Sequence, residues 1–573
     1  MRLSRFLILL FLLLQLNLNA QEKQKPASYI KPVNMPVFLS GTFAELRPDH
    51  FHSGIDIRVG GVEGAAVLAV EDGFVSRVAV SPGGFGKVVY LDHPSTGHTS
   101  VYAHLQRFAP KLNAWVKKQQ YAQEKFTVNL LPEKTLFPVK KGEVIGYAGN
   151  SGSSGGPHLH FEIRDAASQE VLNPMKNGFA IKDFVRPAIT RLAVYPEGDE
   201  SEVEGRHKPA FFEVQGWGLQ HRIKDRKIIK AAGSVSFGIN THDTQNDSPN
   251  INGVFSIELF VESERVFSWK ADRFSFDETR YINSFIDYAF LYDKNSRIMR
   301  TVIDPANKLG MYEGVVANGK ITVNPGDTLN VVYVVKDAND NESRIPFLIV
   351  GTGLSGKALN AKNADSTFIQ LNTGKRFQYT GHGFEVDFPA DALYKDEKLQ
   401  LKNNKGEAGH LSDIITVGSP DVAVHKNYRL TIKAGNNKIP TQKLGIVMLD
   451  KGKKTFVGGE YKDGFITVST RKLGQFAVMS DSVKPTLQPV NFKNQQKVDS
   501  LESLKITVKD DFSGIADIQP TLNGNWLLMD YDPKNNLLEY EIDERLISGK
   551  NTFKLVVKDN CGNKTTYEAV IHR

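Results

Sequence analysis

The chain has 573 residues, of which 71 are Lys or Arg and 64 are Asp or Glu, so its formal net charge at pH 7 is +7. Hydrophobic residues make up 40% and charged residues 24%, which argues against a mostly disordered chain and against a polytopic membrane protein. The basic excess is small for this length and gives no nucleic-acid signal. Cys561 is the single cysteine, so neither an intrachain disulfide nor a cysteine-based zinc cluster can form.

Residues 1–20 have the three-part layout of a secretory signal peptide. Arg2 and Arg5 give a positive start, residues 6–16 are almost wholly apolar, and Ala20 is a small residue at a plausible cleavage point. The apolar run is too short for a bilayer span, which needs about 20 residues. No later stretch is long and apolar enough to span. We therefore expect an exported protein in the periplasm, at the cell surface or secreted, with no transmembrane segment in the mature chain.

Residues 21–183 are predicted to form one β-sheet domain. Short strand patterns punctuated by glycine occur at residues 66–70, 74–80, 87–91, 99–103, 143–147 and 158–164. Between residues 110 and 126 the apolar positions fall near helical spacing, which predicts one amphipathic helix. This helix is open to three interpretations: a wall of a substrate groove, a regulatory lid within residues 107–138, or a surface decoration.

After residue 187 strand patterns dominate and no long helix is indicated. Two stretches resemble each other, VVKDANDN at residues 334–341 and VVKDNCGN at residues 556–563, and each is an apolar strand that runs into an Asp/Asn turn. We predict immunoglobulin-like β-sandwiches at residues 184–350, with insertions around 246–307, and at residues 482–573. Residues 351–367 read as a linker and residues 368–481 as a further β-sandwich. The expected fold class is therefore mainly β.

The two Asp/Asn turns have a second interpretation. The first copy, residues 337–341, resembles the calcium-binding linker motif of cadherins, and oxygen ligands at alternate positions suit calcium. The second copy, residues 559–563, lacks the middle acid. Hairpin-turn chemistry explains both copies more simply.

Histidine is concentrated in one part of the chain. The chain has 14 histidines, and half of them lie between positions 50 and 160, about a fifth of its length. Such an excess in a domain without cysteine suggests an imidazole-rich site. The seven residues are His50, His52, His93, His98, His104, His158 and His160.

His52 and Asp56 form the first candidate pair. Neutral imidazole and carboxylate are good zinc ligands, and a spacing of four in an extended segment returns both side chains to one face. Gly54 between them would let the backbone bend so that both reach one ion. By itself this spacing is weak, because a surface histidine near an aspartate is common.

His158 and His160 form the second candidate pair. Two residues apart in a strand, their rings point to the same side, while Leu159 points to the core. Glu162 continues this alternation and is placed to orient a metal ligand from behind. The glycine-rich residues 149–157 allow a peptide or a metal to approach the backbone. A phosphate-binding loop is disfavoured, because this run precedes a strand and lacks the Gly-Lys-Ser/Thr ending.

Taken together, the motifs resemble the lysostaphin-type or LytM-like zinc metalloendopeptidases, which cleave peptidoglycan cross-bridges. The resemblance covers roughly residues 38–166, with matching order and approximate spacing. It rests on HSGID at 52–56, YAHL at 102–105, KKGEVIG at 140–146, GNSG at 149–152 and GPHLHFE at 156–162.

The resemblance implies that His52, Asp56 and His160 are zinc ligands, and that His104 and His158 are catalytic. Three protein ligands would leave a fourth zinc position open, as in catalytic rather than structural sites. The remaining histidines of the window match no motif and are interpreted as solvated turn residues: His50, His93 and His98.

The leading functional hypothesis is an exported zinc metalloendopeptidase, with one zinc per chain, that hydrolyses peptide bonds in peptidoglycan cross-bridges. The alternative is a non-catalytic envelope protein that uses the same fold to bind peptidoglycan or a partner. A third hypothesis, a secreted bacteriolysin, differs mainly in release from the cell. The β-sandwich domains are candidates for glycan binding, for contact with an envelope protein partner, or for spacing.

Overall fold

The computed structural model describes residues 27–179, 181–355, 367–435 and 438–573. About 48% of the chain is strand and 8% is helix, which confirms the mainly β fold. The predicted signal peptide lies outside the described residues, as does most of the predicted linker. Within the described residues, no helix has the length and apolar character needed to cross a membrane.

The amino-terminal region forms a sheet whose principal order is β1-β2-β10-β6-β5-β4-β7. Its strands are β1 Leu39–Gly41, β2 Ile55–Arg58, β3 Ala66–Leu68, β4 Gly73–Val80, β5 Lys87–His93, β6 His98–Phe108, β7 Val128–Leu130, β8 Pro138–Val139, β9 Val144–Ala148, β10 His158–Asp165 and β11 Val171–Leu172. The six strands predicted from the sequence in this region all form.

One helix, α1 (Pro110–Gln123), connects β6 to β7. It begins with a proline in its first turn, where the missing N–H costs nothing. Leu112, Val116 and Gln120, spaced four apart, are its buried residues. The helix ends three residues before the predicted end, because Glu124 adopts the left-handed conformation with φ 48°.

The second region forms a 12-stranded sheet around β16, a long strand that pairs antiparallel with β12 and parallel with β24. Its strands are β12 Ala188–Pro196, β13 Glu202–Val203, β14 Ala210–Trp217, β15 Gln220–Ile223, β16 Ile228–Thr244, β17 Ile251–Asn252, β18 Ser256–Val261, β19 Glu264–Lys270, β20 Arg273–Phe274, β21 Met299–Arg300, β22 Ile321–Val323, β23 Thr328–Lys336 and β24 Glu342–Gly351. β20 is the exception, because it pairs with β11 in the amino-terminal sheet.

Short helices lie within the second region. They are α2 Ile282–Phe285, α3 Tyr288–Lys294 and the 3₁₀ helices Phe276–Tyr281 and Ala317–Gly319.

The third region packs two sheets, β25-β28-β29-β35-β31-β32 and β26-β27-β30-β34-β33, over one core. Its elements are β25 Phe368–Leu371, β26 Phe377–Gly381, β27 Phe384–Phe388, β28 Glu397–Asn404, β29 Ile414–Val417, β30 Tyr428–Lys433, a 3₁₀ helix Thr441–Lys443, β31 Leu444–Asp450, β32 Lys453–Gly458, β33 Glu460–Lys462, β34 Phe465–Thr470 and β35 Gly474–Ser480. In β27 every second residue is buried, as the sequence alternation predicts.

The carboxy-terminal region is a second two-sheet sandwich, with orders β36-β38-β42-β41 and β37-β44-β43-β39-β40. Its elements are β36 Thr486–Pro489, β37 Gln496–Lys497, β38 Ser503–Lys509, β39 Ile515–Leu522, β40 Asn525–Trp526, β41 Asp530–Asp532, a 3₁₀ helix Pro533–Asn535, β42 Leu537–Glu541, β43 Lys550–Asp559 and β44 Lys564–His572.

The carboxy-terminal region contacts α1. The ring centroids of Tyr121 and Trp526 are 5.4 Å apart, and Lys117 Nζ lies 2.8 Å from a carboxylate oxygen of Asp543. The guanidinium of Arg545 lies 3.5 Å from the centroid of the Tyr121 ring. The helix is therefore a contact surface between the first and last regions of the chain.

The amino-terminal and second regions share one hydrophobic core. Phe43 and Phe51, from the segment between β1 and β2, are buried in the core of the second region. The Phe274 ring of β20 lies 5.3 Å from the ring of Phe43 and 5.8 Å from that of Phe51. The segment that leads into His52 is thus fixed by residues more than 200 positions further along the chain.

We predict that Phe274→Ala destabilises both regions together. Truncating a fully buried phenylalanine costs about 3–5 kcal/mol through lost burial and the cavity that it leaves. Scanning calorimetry should show a lower melting temperature for the transition that includes the amino-terminal region. Phe184→Ala is the control, because that side chain is 65% exposed. An unchanged melting temperature in Phe274→Ala would show that the shared core does not couple the two regions.

Candidate metal centre

The register of three neighbouring strands assembles the candidate site. β10 lies between β2 and β6, and His160 stands opposite Asp56 on one side and Ala103 on the other. Residues opposite each other in antiparallel strands project to the same face. His104 follows Ala103 at an irregular point of the strand, with a φ of 59°, and its ring lies 4.8 Å from that of His158 and 5.8 Å from that of His160. Leu159 is fully buried on the opposite face, as predicted.

The three predicted ligand residues converge on one point. His52 Nε2, Asp56 Oδ1 and His160 Nδ1 are each 3.0 Å from the other two. Ligand atoms of a tetrahedral zinc with bonds near 2.0–2.1 Å are separated by about 3.3 Å. The donor set and its spacing therefore fit a zinc ion. The three residues are 5%, 8% and 3% exposed.

The second nitrogen of each ligand ring has a hydrogen-bond acceptor. His52 Nδ1 donates to the backbone carbonyl of Thr42 at 2.7 Å, and His160 Nε2 donates to Glu162 Oε1 at 3.0 Å. Because each acceptor fixes which nitrogen carries the proton, the other nitrogen keeps its lone pair for a metal. Glu162 therefore has the orienting contact that the sequence alternation predicted.

Glu162 is itself held from two sides. Its carboxylate accepts hydrogen bonds from Arg164 Nε at 2.7 Å and from the Ser53 hydroxyl. Burial opposes ionisation, but Arg164 and the hydrogen bonds from His160 and Ser53 outweigh it and lower the pKa of Glu162 to about 2. At neutral pH this side chain is therefore a charged acceptor behind His160.

Arg47 supports the carboxylate ligand. Its Nη2 donates to Asp56 Oδ2 at 2.7 Å, on the oxygen that does not face the two histidines. Burial again opposes ionisation, yet the neighbouring imidazoles of His52, His158 and His160 bring the pKa of Asp56 well below its usual range. Asp56 is therefore available as an anionic ligand.

The two predicted catalytic histidines lie next to the ligand triad. The ring centroids of His104 and His158 are 4.8 Å apart. His104 Nδ1 donates to the carbonyl of Ser151 at 2.9 Å, and His158 Nδ1 donates to the carbonyl of Gly156 at 2.8 Å. Both acceptors belong to the glycine-rich loop, and each fixes the orientation of its histidine ring.

His104 is also held in an uncommon backbone conformation. Its φ is 59°, which few non-glycine residues adopt and which often marks a functional position. Burial, together with the nearby imidazoles of His160 and His158, lowers the pKa of His104 to about 3. Its ring is therefore neutral at physiological pH and can accept a proton through Nε2.

Gly54 has a role that differs from the predicted one. Its φ is not in the left-handed region, so the backbone does not need glycine for a bend. A Cβ at this position would lie 2.2 Å from the carbonyl oxygen of Phe161 in β10. Gly54 is required because the chain between His52 and Asp56 passes directly against this strand.

The interpretation of three other histidines as solvated turn residues holds only for His50, which is exposed. It is wrong for His93, which is 1% exposed and contacts the Asp72 carbonyl at 3.0 Å and the Ser100 hydroxyl at 2.7 Å. His98 is half-buried, with Nδ1 2.7 Å from the Tyr29 hydroxyl.

Sequence reasoning missed the two arginines of the site. Arg164 could have been found, because it continues the alternation of His158, His160 and Glu162 along β10. Arg47 left no such signal, since it reaches Asp56 only through the reversal of the chain between β1 and β2.

Two segments of the chain match models of known protein families. Residues 50–122 and 134–174 match the model of Peptidase family M23, and residues 368–481 match that of the Zu5-like domain. The amino-terminal region of this chain is therefore similar to Peptidase family M23.

Two curated relatives illustrate the match. An uncharacterized metalloprotease of Haemophilus influenzae is 35% identical over 124 residues, which is 22% of this chain and 20% of the relative. The DD-carboxypeptidase/endopeptidase Mpg of Neisseria meningitidis serogroup B is 34% identical over 113 residues, 20% of each chain. The chain thus spans about a fifth of the length of these relatives.

Solved structures are also similar to part of the chain. The catalytic domain of lysostaphin from Staphylococcus simulans is 22% identical and matches 24% of this chain and 90% of its own, with a TM-score of 0.19. The catalytic domain of the M23 protein EnpA from Enterococcus faecalis is 25% identical, with coverages of 26% and 95% and a TM-score of 0.19.

We predict that Glu162→Gln weakens zinc binding about 10–100-fold, the usual cost of removing the partner of a ligating histidine. The amide keeps the size of the side chain but presents an N–H₂ group where Arg164 and His160 need an acceptor. Zinc affinity is measured by competition with a chromophoric chelator, and circular dichroism checks the fold. Glu170→Gln is the control, since Glu170 lies outside the site. Equal affinities for both variants would show that Glu162 does not orient His160.

Proposed function

We propose that the protein is an exported zinc metalloendopeptidase that hydrolyses peptide bonds in peptidoglycan cross-bridges. The observation that carries this proposal is the convergence of three ligand atoms, each 3.0 Å from the other two, beside two histidines whose ring centroids are 4.8 Å apart. The match of the amino-terminal region to Peptidase family M23 supports a peptidase or peptidoglycan hydrolase role.

In this proposal His52, Asp56 and His160 hold one zinc ion per chain. A zinc ion bound by three protein ligands supplies Lewis-acid polarisation of the scissile carbonyl and lowers the pKa of a water molecule to about 7. The chain's own contribution is a rigid set of ligands, each fixed by a hydrogen bond on its far side. Such fixed ligands lose little entropy when the metal and the substrate bind.

His104 and His158 move the protons. One, with no proton on Nε2, takes a proton from the attacking water, and the other, while its Nε2 carries a proton, hydrogen-bonds the oxyanion or protonates the leaving amine. Their Nδ1 atoms stay bonded to Ser151 and Gly156, so both rings keep their orientation during these transfers. We assign these two proton-transfer tasks to His104 and His158 as a pair, without allotting either task to one histidine.

The substrate class rests on the relatives. The Neisseria relative is named a DD-carboxypeptidase/endopeptidase, and a peptidoglycan substrate requires a protein that reaches the envelope. The signal-peptide layout of residues 1–20 is in keeping with that route.

A non-catalytic envelope protein that binds peptidoglycan or a partner through the same fold is the second candidate. Loss of a ligand or of a catalytic histidine would favour it. Here all five side chains are present and lie together, which favours the enzyme. Cleavage and binding of purified sacculi separate the two hypotheses.

We predict that two groups of variants differ in whether they keep zinc. His52→Ala and His160→Ala should lose zinc and activity, since each removes a ligand. His104→Ala and His158→Ala should keep zinc and lose about 10²–10⁴-fold in cleavage rate, the usual contribution of a general acid or base. Zinc is measured by mass spectrometry of the metal, and cleavage by the fragments released from purified sacculi.

His50→Ala is the matched control, because it removes an exposed imidazole from the same segment and should change neither quantity. A His52→Ala protein that still cleaves sacculi would refute the zinc mechanism. A zinc-loaded wild-type protein that binds sacculi without cleaving them would establish the second candidate instead.

A further inference from the structure

A second cluster of possible ligands lies at the junction of the amino-terminal and second regions. Asp183 precedes β12, Asp243 lies near the end of β16, and Asp337 follows β23. One carboxylate oxygen from each residue lies within 4.8 Å of those of the other two. Oxygen ligands at about 2.4 Å from one calcium ion are at most about 4.8 Å apart. The three oxygens can therefore share one ion.

The cluster concentrates negative charge in a buried place. Asp183, Asp243 and Asp337 are 6%, 6% and 3% exposed. Burial and the charges of Asp337 and Asp183 raise the pKa of Asp243 to about 8, and burial also raises the pKa of Asp337. Three buried carboxylates repel one another strongly unless a proton or a cation lies between them.

One oxygen of the cluster has no partner. Asp243 Oδ1 is buried and accepts no hydrogen bond from any of the described residues. The three aspartates line a cavity of about 20 Å³, whose opposite wall includes Thr42 and Asn173 of the amino-terminal region. A cavity of this size holds one small ion or one water molecule. An unpartnered carboxylate oxygen in such a cavity indicates a ligand that the protein itself does not supply.

The other two carboxylates are held in place by the backbone. Asp183 Oδ1 accepts N–H groups of Val185 and Asn246 at 3.1 Å each. Asp337 Oδ1 accepts two N–H groups of the loop that follows it, at 2.8 Å each. Asp337 Oδ2 also accepts from the side-chain amide of Asn341 at 2.7 Å. These bonds fix the orientation of both carboxylates before any cation arrives.

We propose that Asp183, Asp243 and Asp337 bind one calcium ion that fastens the second region to the amino-terminal sheet. Calcium suits this site better than magnesium, because magnesium keeps several waters and seldom enters a closed cage of protein oxygens. The same junction positions β1: Gln245, two residues after Asp243, bonds the backbone N–H of Leu39 at 2.8 Å. The site is separate from the candidate zinc centre and does not depend on the proposed peptidase activity.

The carboxy-terminal region has a related cluster, formed by Asp481, Asp510 and Asp559. One carboxylate oxygen from each of these residues also lies within 4.8 Å of those of the other two. There the third acid is satisfied by the protein, because Asp510 Oδ1 accepts N–H groups from Phe512 and Gly514. The proposal therefore concerns the first cluster alone.

Calcium titration of the full chain tests the site. Zinc-loaded protein in calcium-free buffer is titrated with CaCl₂ by isothermal calorimetry and then melted with and without calcium. We expect binding with a Kd of about 10⁻³ M or tighter, as in extracellular calcium modules, and a melting temperature raised by calcium. Asp243→Asn should bind one calcium ion fewer per chain than wild type. Calcium should also raise the melting temperature of this variant less than that of wild type. No chelator is needed, so the zinc centre stays intact.

Asp340→Asn is the matched control, since it removes an exposed acid from the Asp337 loop and should leave calcium binding unchanged. Without calcium, Asp243→Asn should melt no lower than wild type, because it relieves repulsion among buried acids. Asp337→Asn repeats the test at a second ligand. A wild-type protein that takes up no calcium at millimolar CaCl₂ would overturn the proposal, as would an Asp243→Asn protein that binds as much calcium as wild type.

Discussion

The pairing register of β2, β10 and β6 is the constraint on which the candidate metal centre depends. His160 faces Asp56 across one ladder and Ala103 across the other, and the left-handed backbone of His104 departs from strand alternation just beyond Ala103. Side chains alternate along a strand, and a slip of one residue in either ladder would turn His160 away from its partners. The fully buried Leu159 and Phe161 resist such a slip, because it would bring apolar side chains to the site and imidazoles to the core.

Hydrogen bonds behind the three candidate ligands fix the orientation of their side chains. Each ligand has its outward atom bonded to a fixed partner, and the partners come from different parts of the chain: a backbone carbonyl at Thr42, a carboxylate at Glu162 and a guanidinium at Arg47. The glycine-rich loop does the same for His104 and His158. The proposed ligands and the two other histidines are thus oriented by contacts from chain segments that only the folded sheet brings together.

Much of this arrangement could be predicted from local patterns. Alternation along β10 predicts which way His158, His160 and Glu162 point, because a strand repeats every two residues. Contacts that depend on chain reversal or on distant segments leave no local signal. The burial of His93 is one such case, and the salt bridge from Arg47 to Asp56 is another. The distance between Gly54 and the Phe161 carbonyl likewise follows from the packing of two segments about a hundred residues apart.

The core shared by the first two regions limits how the protein can be divided into fragments. Phe43 and Phe51 pack against Phe274, and Phe51 directly precedes His52. A fragment that ends at residue 183 would therefore leave both rings in water and would free the loop whose Thr42 carbonyl orients His52. The smallest unit that keeps this core intact is therefore larger than the family-matched segment, and the geometry of the candidate metal centre draws on the second region as well as on the amino-terminal sheet.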